Sequence, residues 1–331
     1  MIVAVGPVSH VPSWNWVGMN IVSELSKYCD VEIFKNFESL PAAKVIIIVK
    51  QLPPSGFLKA AKGKSKVIYC PIDYFFDDNM IAASAHILSG FEFILTHAES
   101  LKPLFNRFAP TFLVEHDGRY TLPERCKYRP QGYVLWIGGY QFVPYLMNWF
   151  RDHPPRYEVK LLTDYKNKSA IGRAQTLSRE LNISLSKLLK SCEMYEWSEK
   201  IQTKMMKECK AAIDIKGTSF SQVHKPPTKG QKYISSGIPF AINQGNCCLN
   251  YFRSRSFNVC DPTNTERWFS ENYWRETMKF AKHLRDQISS TTVGRTYLRY
   301  VELCLESMYP TEKLEKPLTG LSVHRYHPEN P

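Results

Sequence analysis

The stretch DIKGTSFSQVHKPPTKGQKYISSGIPFAIN, residues 214–243, decides the fold. It follows the apolar run AAIDIK, so a buried strand enters a polar loop at about Lys216. The loop ends in Pro226 and Pro227. Proline suits the first helical turn, whose N–H groups have no intrahelical partner, so a helix is expected from about Pro227 to Ser235. Gly237 then supplies a left-handed C-cap, Pro239 prevents continuation, and the strand PFAIN starts at once. Strand, helix and strand in immediate succession imply parallel strands covered by helices.

The same alternation extends outward in both directions. Apolar, β-branched strands are expected at 2–6, 31–34, 45–49, 66–70, 93–96 and 112–116, with amphipathic helices at 14–28, 79–88 and 99–108. The segment 117–132, rich in Arg, Pro and Gly, reads as a linker. Alternation resumes with strands at 133–138, 158–163, 194–197, 211–216 and 239–243, and from Glu266 the pattern turns helical. The expected organisation is a first α/β domain over 1–124, a second over 125–265, helices over 266–309 packing across the junction, and an irregular tail over 310–331. A chain of 331 residues exceeds what one core normally supports, which agrees with two domains. Each is expected to be Rossmann-like, with its functional loops at the carboxyl ends of the strands and a ligand cleft between the two.

Composition narrows the partners. Lys and Arg number 43 against 31 Asp and Glu, a net charge of +12 that favours phosphates, nucleic acid or an anionic membrane surface. Between residues 187 and 232 there are ten lysines, no arginine and five acids, so five of those twelve charges fall in one stretch. The nine cysteines are odd in number and lack paired CxxC spacing, which gives no zinc motif and suits reduced thiols in a cytosol. The chain opens on a short strand rather than a targeting segment. It holds no apolar run of the roughly 18 residues that suggest a membrane span. A cytoplasmic protein is expected, with peripheral contact at the inner membrane face as a further option.

The helix beginning near Pro227 is an anion site on physical grounds. Its free N–H groups and positive dipole end point at the loop edge of the sheet. Lys216, Lys225, Lys229 and Lys232 surround it, and Thr228 adds a hydroxyl donor. A diphosphate is the simplest ligand needing so much positive charge. The alternative is an ordinary solvated helix start.

This segment, KPPTK at 225–229 and SSGIP at 235–239, resembles the donor-binding element of glycosyltransferases of the GT-B fold. The resemblance weakens over 133–243, where the first strand ends in Gly138-Gly139, and weakens further over the first half. It implies two Rossmann-like, doubly wound domains facing across a cleft, with C-terminal helices. It also implies a nucleotide-sugar donor, a UDP- or GDP-sugar, gripped by Gly138, Gly139, Lys216, Lys225, Thr228 and Lys229, with Trp197 beside the base. Trp197 is equally readable as a core residue. Many such enzymes carry two glutamates eight residues apart on this segment. Here His224 and Lys232 occupy those positions, and GGYQF stands where an Arg/Lys pair is usual, which marks a divergent member.

The first domain should hold the acceptor. The loop GPVSHVPSWNW after the first strand offers Ser9, His10, Ser13 and Trp14 at the sheet edge, although Trp14 and Trp16 read as readily as helix anchors. The loop CPIDYFFDD places Asp73 at the cleft mouth, where a carboxylate can take the proton of an acceptor hydroxyl. A phage DNA glucosyltransferase of this fold is similar in placing its base there. The plain alternative is a turn-capping aspartate. His97 and His116 also fall at strand ends facing the cleft.

Asp73 and His10 are thus the candidate catalytic groups. No metal or cofactor is expected, because lysines and a helix dipole can stabilise a departing diphosphate. The expected activity is metal-independent transfer of a hexose to a hydroxyl acceptor: a glycan, a lipid-linked glycan or DNA. The alternatives are a non-catalytic nucleotide-sugar or nucleic-acid binding module on the same fold, and a sugar-nucleotide epimerase.

Overall fold

The computed structural model describes residues 2–10, 13–118, 122 and 127–308. The readings made for residues 119–121, 123–126 and 309–331 lie outside them. Among the described residues eleven strands form two sheets. The first holds β1 (Ile2–Gly6), β2 (Asp30–Ile33), β3 (Val45–Val49), β4 (Lys66–Cys70), β5 (Phe93–Thr96) and β6 (Thr111–Leu113), in the order β2-β1-β3-β4-β5-β6. The second holds β7 (Val134–Ile137), β8 (Val159–Thr163), β9 (Glu193–Glu196), β10 (Ala211–Asp214) and β11 (Phe240–Ile242), in the order β11-β10-β7-β8-β9. Every strand pair is parallel, with registers such as Val3 opposite Val45, and Val134 opposite both Val159 and Ala211.

Sequence explains the central strands. VIIIV in β3 is buried along its whole length, as a strand covered by helices on both faces must be. The exposed pattern of β2 fits its place at the sheet edge. In each sheet the strand order reverses direction once, between β1 and β3 and between β7 and β10. Crevices at such switch points, outside the carboxyl ends of the strands, are where open α/β sheets bind ligands.

Several helices differ from expectation. The single helix expected over 14–28 begins as a wide π-type turn, Trp14–Gly18, and only then becomes α-helical, Met19–Leu25. Ser13 is itself helical in backbone and makes no side-chain cap. The Trp14 ring sits so close to Gly18 that a Cβ there would lie 2.3 Å from it. The helix expected over 79–88 divides at Ser84, with Asp77 capping the first part through Met80 N at 2.7 Å.

Among the described residues the C-terminal region forms three helices, Thr265–Trp268, Glu271–Gln287 and Ser290–Met308. Helix Glu271–Gln287 packs on Thr228–Ser235, and its Arg285 donates to the carbonyls of Ser235 and Leu122 at 2.5 and 3.1 Å. Helix Ser290–Met308 crosses to the first sheet and packs on Met19–Leu25. Its Val293, Tyr297, Val301 and Cys304 complete the core that holds Val3, Val5, Trp14 and Cys70. At about 1.5–3 kcal/mol for each large apolar side chain buried, this helix is structural to the first domain although it lies last in sequence.

A second tie runs through Glu115, just after β6. Its carboxylate accepts from Gln231 at 2.7 Å, Tyr251 at 3.0 Å and Arg255 at 2.9 Å, all from the second domain. Burial pushes this carboxyl up, and the Arg255 guanidinium opposes it.

Candidate functional site

The second sheet's switch point is built around Asp214, the last residue of β10. It is buried at 1% exposure and lies 2.7 Å from Lys216 Nζ and 3.0 Å from Lys229 Nζ. Burial alone would raise the Asp214 carboxyl, but the two ammonium groups outweigh it and hold it below the ordinary carboxylate range. Lys216 is raised because Asp214 overcomes its burial, whereas burial lowers Lys229 to about 8 despite the same partner. One carboxylate cannot fully compensate two buried ammonium groups, and Lys229 carries the deficit.

The loops around this cluster are fixed by local chemistry. Asn243, following β11, accepts from Lys216 N at 2.8 Å and donates to Lys216 O at 2.9 Å, which pins the strand-to-loop turn. Lys229 Nζ also lies 4.8 Å from the centroid of the Trp136 ring. Gly138 is required there: a Cβ would meet that ring at 2.6 Å and Lys229 Nζ at 2.9 Å. Gly139 opens the short turn Tyr140–Phe142. Lys225 Nζ lies 4.3 Å from the Phe142 centroid, and burial lowers its pKa against the pull of Asp73 across the cleft.

Helix Thr228–Ser235 starts where the sequence places it, with Pro227 as N-cap and Gly237 in the left-handed region at φ 70°. Thr228 Oγ1 bonds back to Pro226 O at 3.5 Å. Lys232 is half-buried, which pushes its ammonium down to about 8.

The remaining donor-side residues are more scattered. Trp197, just beyond β9, is 37% exposed and its indole N–H bonds Gln202 at 3.0 Å, so one edge is held and a face is open. His224 turns to the other domain: Nδ1 and Ser100 Oγ share a 2.8 Å hydrogen bond, and its ring packs on Phe220. It therefore makes a contact between the domains in this arrangement.

On the first sheet's edge, Asp73 is exposed in the turn after β4. Asp73 (φ 51°) and Ile72 (φ 21°) both have positive φ. Positive φ at a β-branched residue is costly and persists where surrounding structure enforces it. No hydrogen bond from the Asp73 side chain exists among the described residues, so it does not cap the turn. Ser9 is half-buried and His10 exposed in the loop after β1. Ser13 Oγ is buried without a partner among the described residues. Trp14 is 4% exposed and belongs to the core, so the aromatic-platform reading gives way to the anchor reading.

Asp73 and His97 line one cavity of about 30 Å³ between the domains, roofed by Phe220, Ser221, His224 and Pro226 of the second. A larger cleft of about 340 Å³ opens between Phe142, Tyr145, Arg173 and Gln222. Among the described residues no three His, Cys, Asp or Glu side chains converge as metal ligands, and no helix is long and apolar enough to cross a membrane.

Sequence reasoning missed the centre of the donor-side cluster. A charged residue ending the apolar run AAID signals a buried, partnered carboxylate. Asn243, Trp136 and Glu115 gave no such local signal.

No known family profile matches the sequence, and no curated protein matches it significantly. Solved structures do match. A glycosyltransferase from Rickettsia africae ESF-5 is similar at 10% identity over 92% of this chain and 98% of its own, with a TM-score of 0.61. Sucrose-phosphate synthase from Thermosynechococcus elongatus is similar at 9% identity over 92% and 82%, TM-score 0.59. AviGT4, a glycosyltransferase involved in avilamycin A biosynthesis, is similar at 12% over 93% and 97%, TM-score 0.55. At such identities the likeness is one of fold. The two parallel sheets, their facing loop edges and the returning C-terminal helix thus give this chain the α/β architecture of GT-B glycosyltransferases.

Proposed function

We propose that this chain transfers a hexose from a nucleotide-diphosphate sugar to a hydroxyl acceptor. The observation that carries the reading is the arrangement of Lys216, Lys225 and Lys229 around the single carboxylate of Asp214 at the second sheet's switch point. The cluster keeps an excess of positive charge beside the start of helix Thr228–Ser235, where free N–H groups favour an anion. A diphosphate there would place its sugar toward Asp73.

In the proposed reaction the acceptor oxygen attacks the anomeric carbon while the hydroxyl proton passes to the Asp73 carboxylate. The bond from that carbon to the phosphate oxygen breaks, and its electron pair leaves on the diphosphate. The lysines and helix N-terminus stabilise the leaving charge. Displacement of this kind inverts the anomeric centre. The acceptor class is a glycan, a lipid-linked glycan or DNA. The net charge of +12 suits any of these in anionic form, and a steep loss of binding with salt would single out nucleic acid. Cell fractionation would distinguish a cytoplasmic protein from one held at the inner membrane face.

The test is a panel of UDP- and GDP-sugars read by thermal shift and by release of free nucleotide. One donor should raise Tm, and Lys225→Ala should weaken its binding at least tenfold. Failure of every donor to stabilise the chain would end the proposal. A second reading, a non-catalytic nucleotide-sugar binder, draws on Lys232 at the position where similar enzymes carry a glutamate. Stabilisation without nucleotide release would favour it.

A further inference from the structure

Helix Lys168–Glu180, which follows β8, has two working faces. Ala170, Ala174 and Ser178, four residues apart, are buried, and Asn167 caps the start by accepting from Ser169 N and Ala170 N. Arg173, Leu177 and Glu180, three or four residues apart, form the other face and line the cleft of about 340 Å³. Phe142, Tyr145 and Gln222, the last from helix Phe220–Val223, line the same cleft.

Two features of this lining point to a ligand. Gln222 is 4% exposed, yet its side-chain amide has no hydrogen-bond partner among the described residues and is not sealed from solvent. Buried polar groups normally find partners, and a hydroxyl-bearing ligand can answer both the donor and the acceptor of an amide. Gly172 is the second feature. It stands inside the helix, where glycine is less favourable than alanine. Nothing lies within 4 Å of the Cβ it lacks, so no packing contact requires a glycine there. Its missing side chain widens the cleft instead.

The lining selects the chemistry. The volume falls within the roughly 300–1,000 Å³ of small-molecule sites. The Tyr145 ring is held against the loop after β10, since a Cβ on Gly217 would meet it at 2.2 Å. Aromatic rings beside amides suit a saccharide, whose C–H faces pack on rings and whose hydroxyls both donate and accept. Arg173 and Glu180 cancel in formal charge, and no lysine lines the cleft, so a neutral ligand fits better than a phosphate-rich one. From Arg173 to Glu180 the helix rises about 10 Å, room for more than one sugar ring. A nucleotide-sugar donor carries its sugar on the diphosphate, whereas Ser221 lines both this cleft and the cavity of Asp73. A sugar chain reaching Asp73 can therefore continue past Ser221 into the cleft.

We propose that this cleft binds two linked neutral sugars of the acceptor, which makes the acceptor a glycan chain rather than DNA. The saccharide site stands on the lining itself, and its role as an acceptor site rests on the transferase reading.

The test is isothermal titration of the whole chain with maltose, cellobiose and lactose, with glucose, galactose and a DNA dinucleotide as controls. At least one disaccharide should bind, at least tenfold more tightly than either monosaccharide or the dinucleotide. Gly172→Phe fills the cleft without a clash, so it should weaken that disaccharide at least tenfold while leaving Tm unchanged or raised. Gln222→Met keeps the packing volume and removes the amide, and should weaken it at least fivefold. Absence of binding by every disaccharide, a monosaccharide or the dinucleotide binding as tightly, or a Gly172→Phe chain that binds like the unsubstituted one overturns the proposal. The titration needs no nucleotide-sugar. Failure of the donor panel with disaccharide binding intact would sink the transferase reading alone, and a donor that binds and turns over without disaccharide binding would sink only this cleft's role.

Discussion

The two sheet edges that meet at the cleft are electrostatic opposites. At the second sheet's edge one buried carboxylate, Asp214, is outnumbered by lysines. At the first sheet's edge the buried titratable groups are neutral imidazoles, and the carboxylate, Asp73, is exposed. The same residue type thus does different work at equivalent places in two similar domains. Asp214 spends its charge on neighbours and holds two ammonium groups in place. Asp73 has no hydrogen-bonding side-chain partner among the described residues and sits on strained backbone. An edge with surplus positive charge suits a departing anion, and an edge with a free carboxylate suits a departing proton.

The contrast breaks most easily at the aspartates. Asp214→Asn should destabilise the fold by about 3–5 kcal/mol in urea unfolding, because it leaves buried ammonium groups without compensation. Asp73→Asn should change stability by no more than about 0.5 kcal/mol, since asparagine tolerates the left-handed backbone, yet lower turnover about 10²–10⁴-fold. Equal stability costs at the two positions would remove the distinction. Gly138→Ala should come next, at about 2 kcal/mol, because its Cβ would drive Lys229 Nζ off Asp214. Nucleotide-sugar binding should weaken with it. Tyr297→Phe should cost about 1 kcal/mol through the bond lost to His97.

The smallest effect expected is one of pH. Burial holds Lys229 and Lys232 at about 8 in the folded chain, below their ordinary 10.5. Between those values the unfolded chain binds more protons, so stability should rise with pH. Buried thiols pull the other way over the same range, since Cys70, Cys260 and Cys304 are raised from their ordinary 9.0 to about 12, 11 and 12. The lysine effect is therefore read as a difference: the urea midpoint of the unsubstituted chain should gain on that of Lys229→Met from pH 8 to 9.5. Above that, buried tyrosines such as Tyr157, raised above their ordinary 10, begin to oppose the trend. A difference that stays flat across pH 8–9.5 would show that Lys229 is not held down.

Much of the architecture was legible in local pattern. Runs such as VIIIV, the proline start and glycine end of helix Thr228–Ser235, and the restart of alternation after residue 132 all act over a few residues. Their physical causes, burial on both faces and terminal N–H or left-handed geometry, need no distant partner. The lysine cluster was legible as a charge excess, but its organisation was not. Asp214 lies two residues from Lys216 in sequence, whereas Lys229 arrives only with the following helix and Asn243 only after β11. Between platform and helix anchor the sequence left Trp14 open, because tryptophan patterns alike in a core and on a surface; burial decides for the anchor.

Sequence by itself determined two parallel α/β units and the proline start and glycine end of helix Thr228–Ser235, because hydrophobic periodicity and backbone capping are short-range effects. Tertiary structure alone decided which lysines are neutralised, which histidine nitrogens remain unpaired and which aspartate is free. Those outcomes depend on burial and on partners such as Tyr297, 200 residues from His97 in the chain, and no local pattern encodes such a distance.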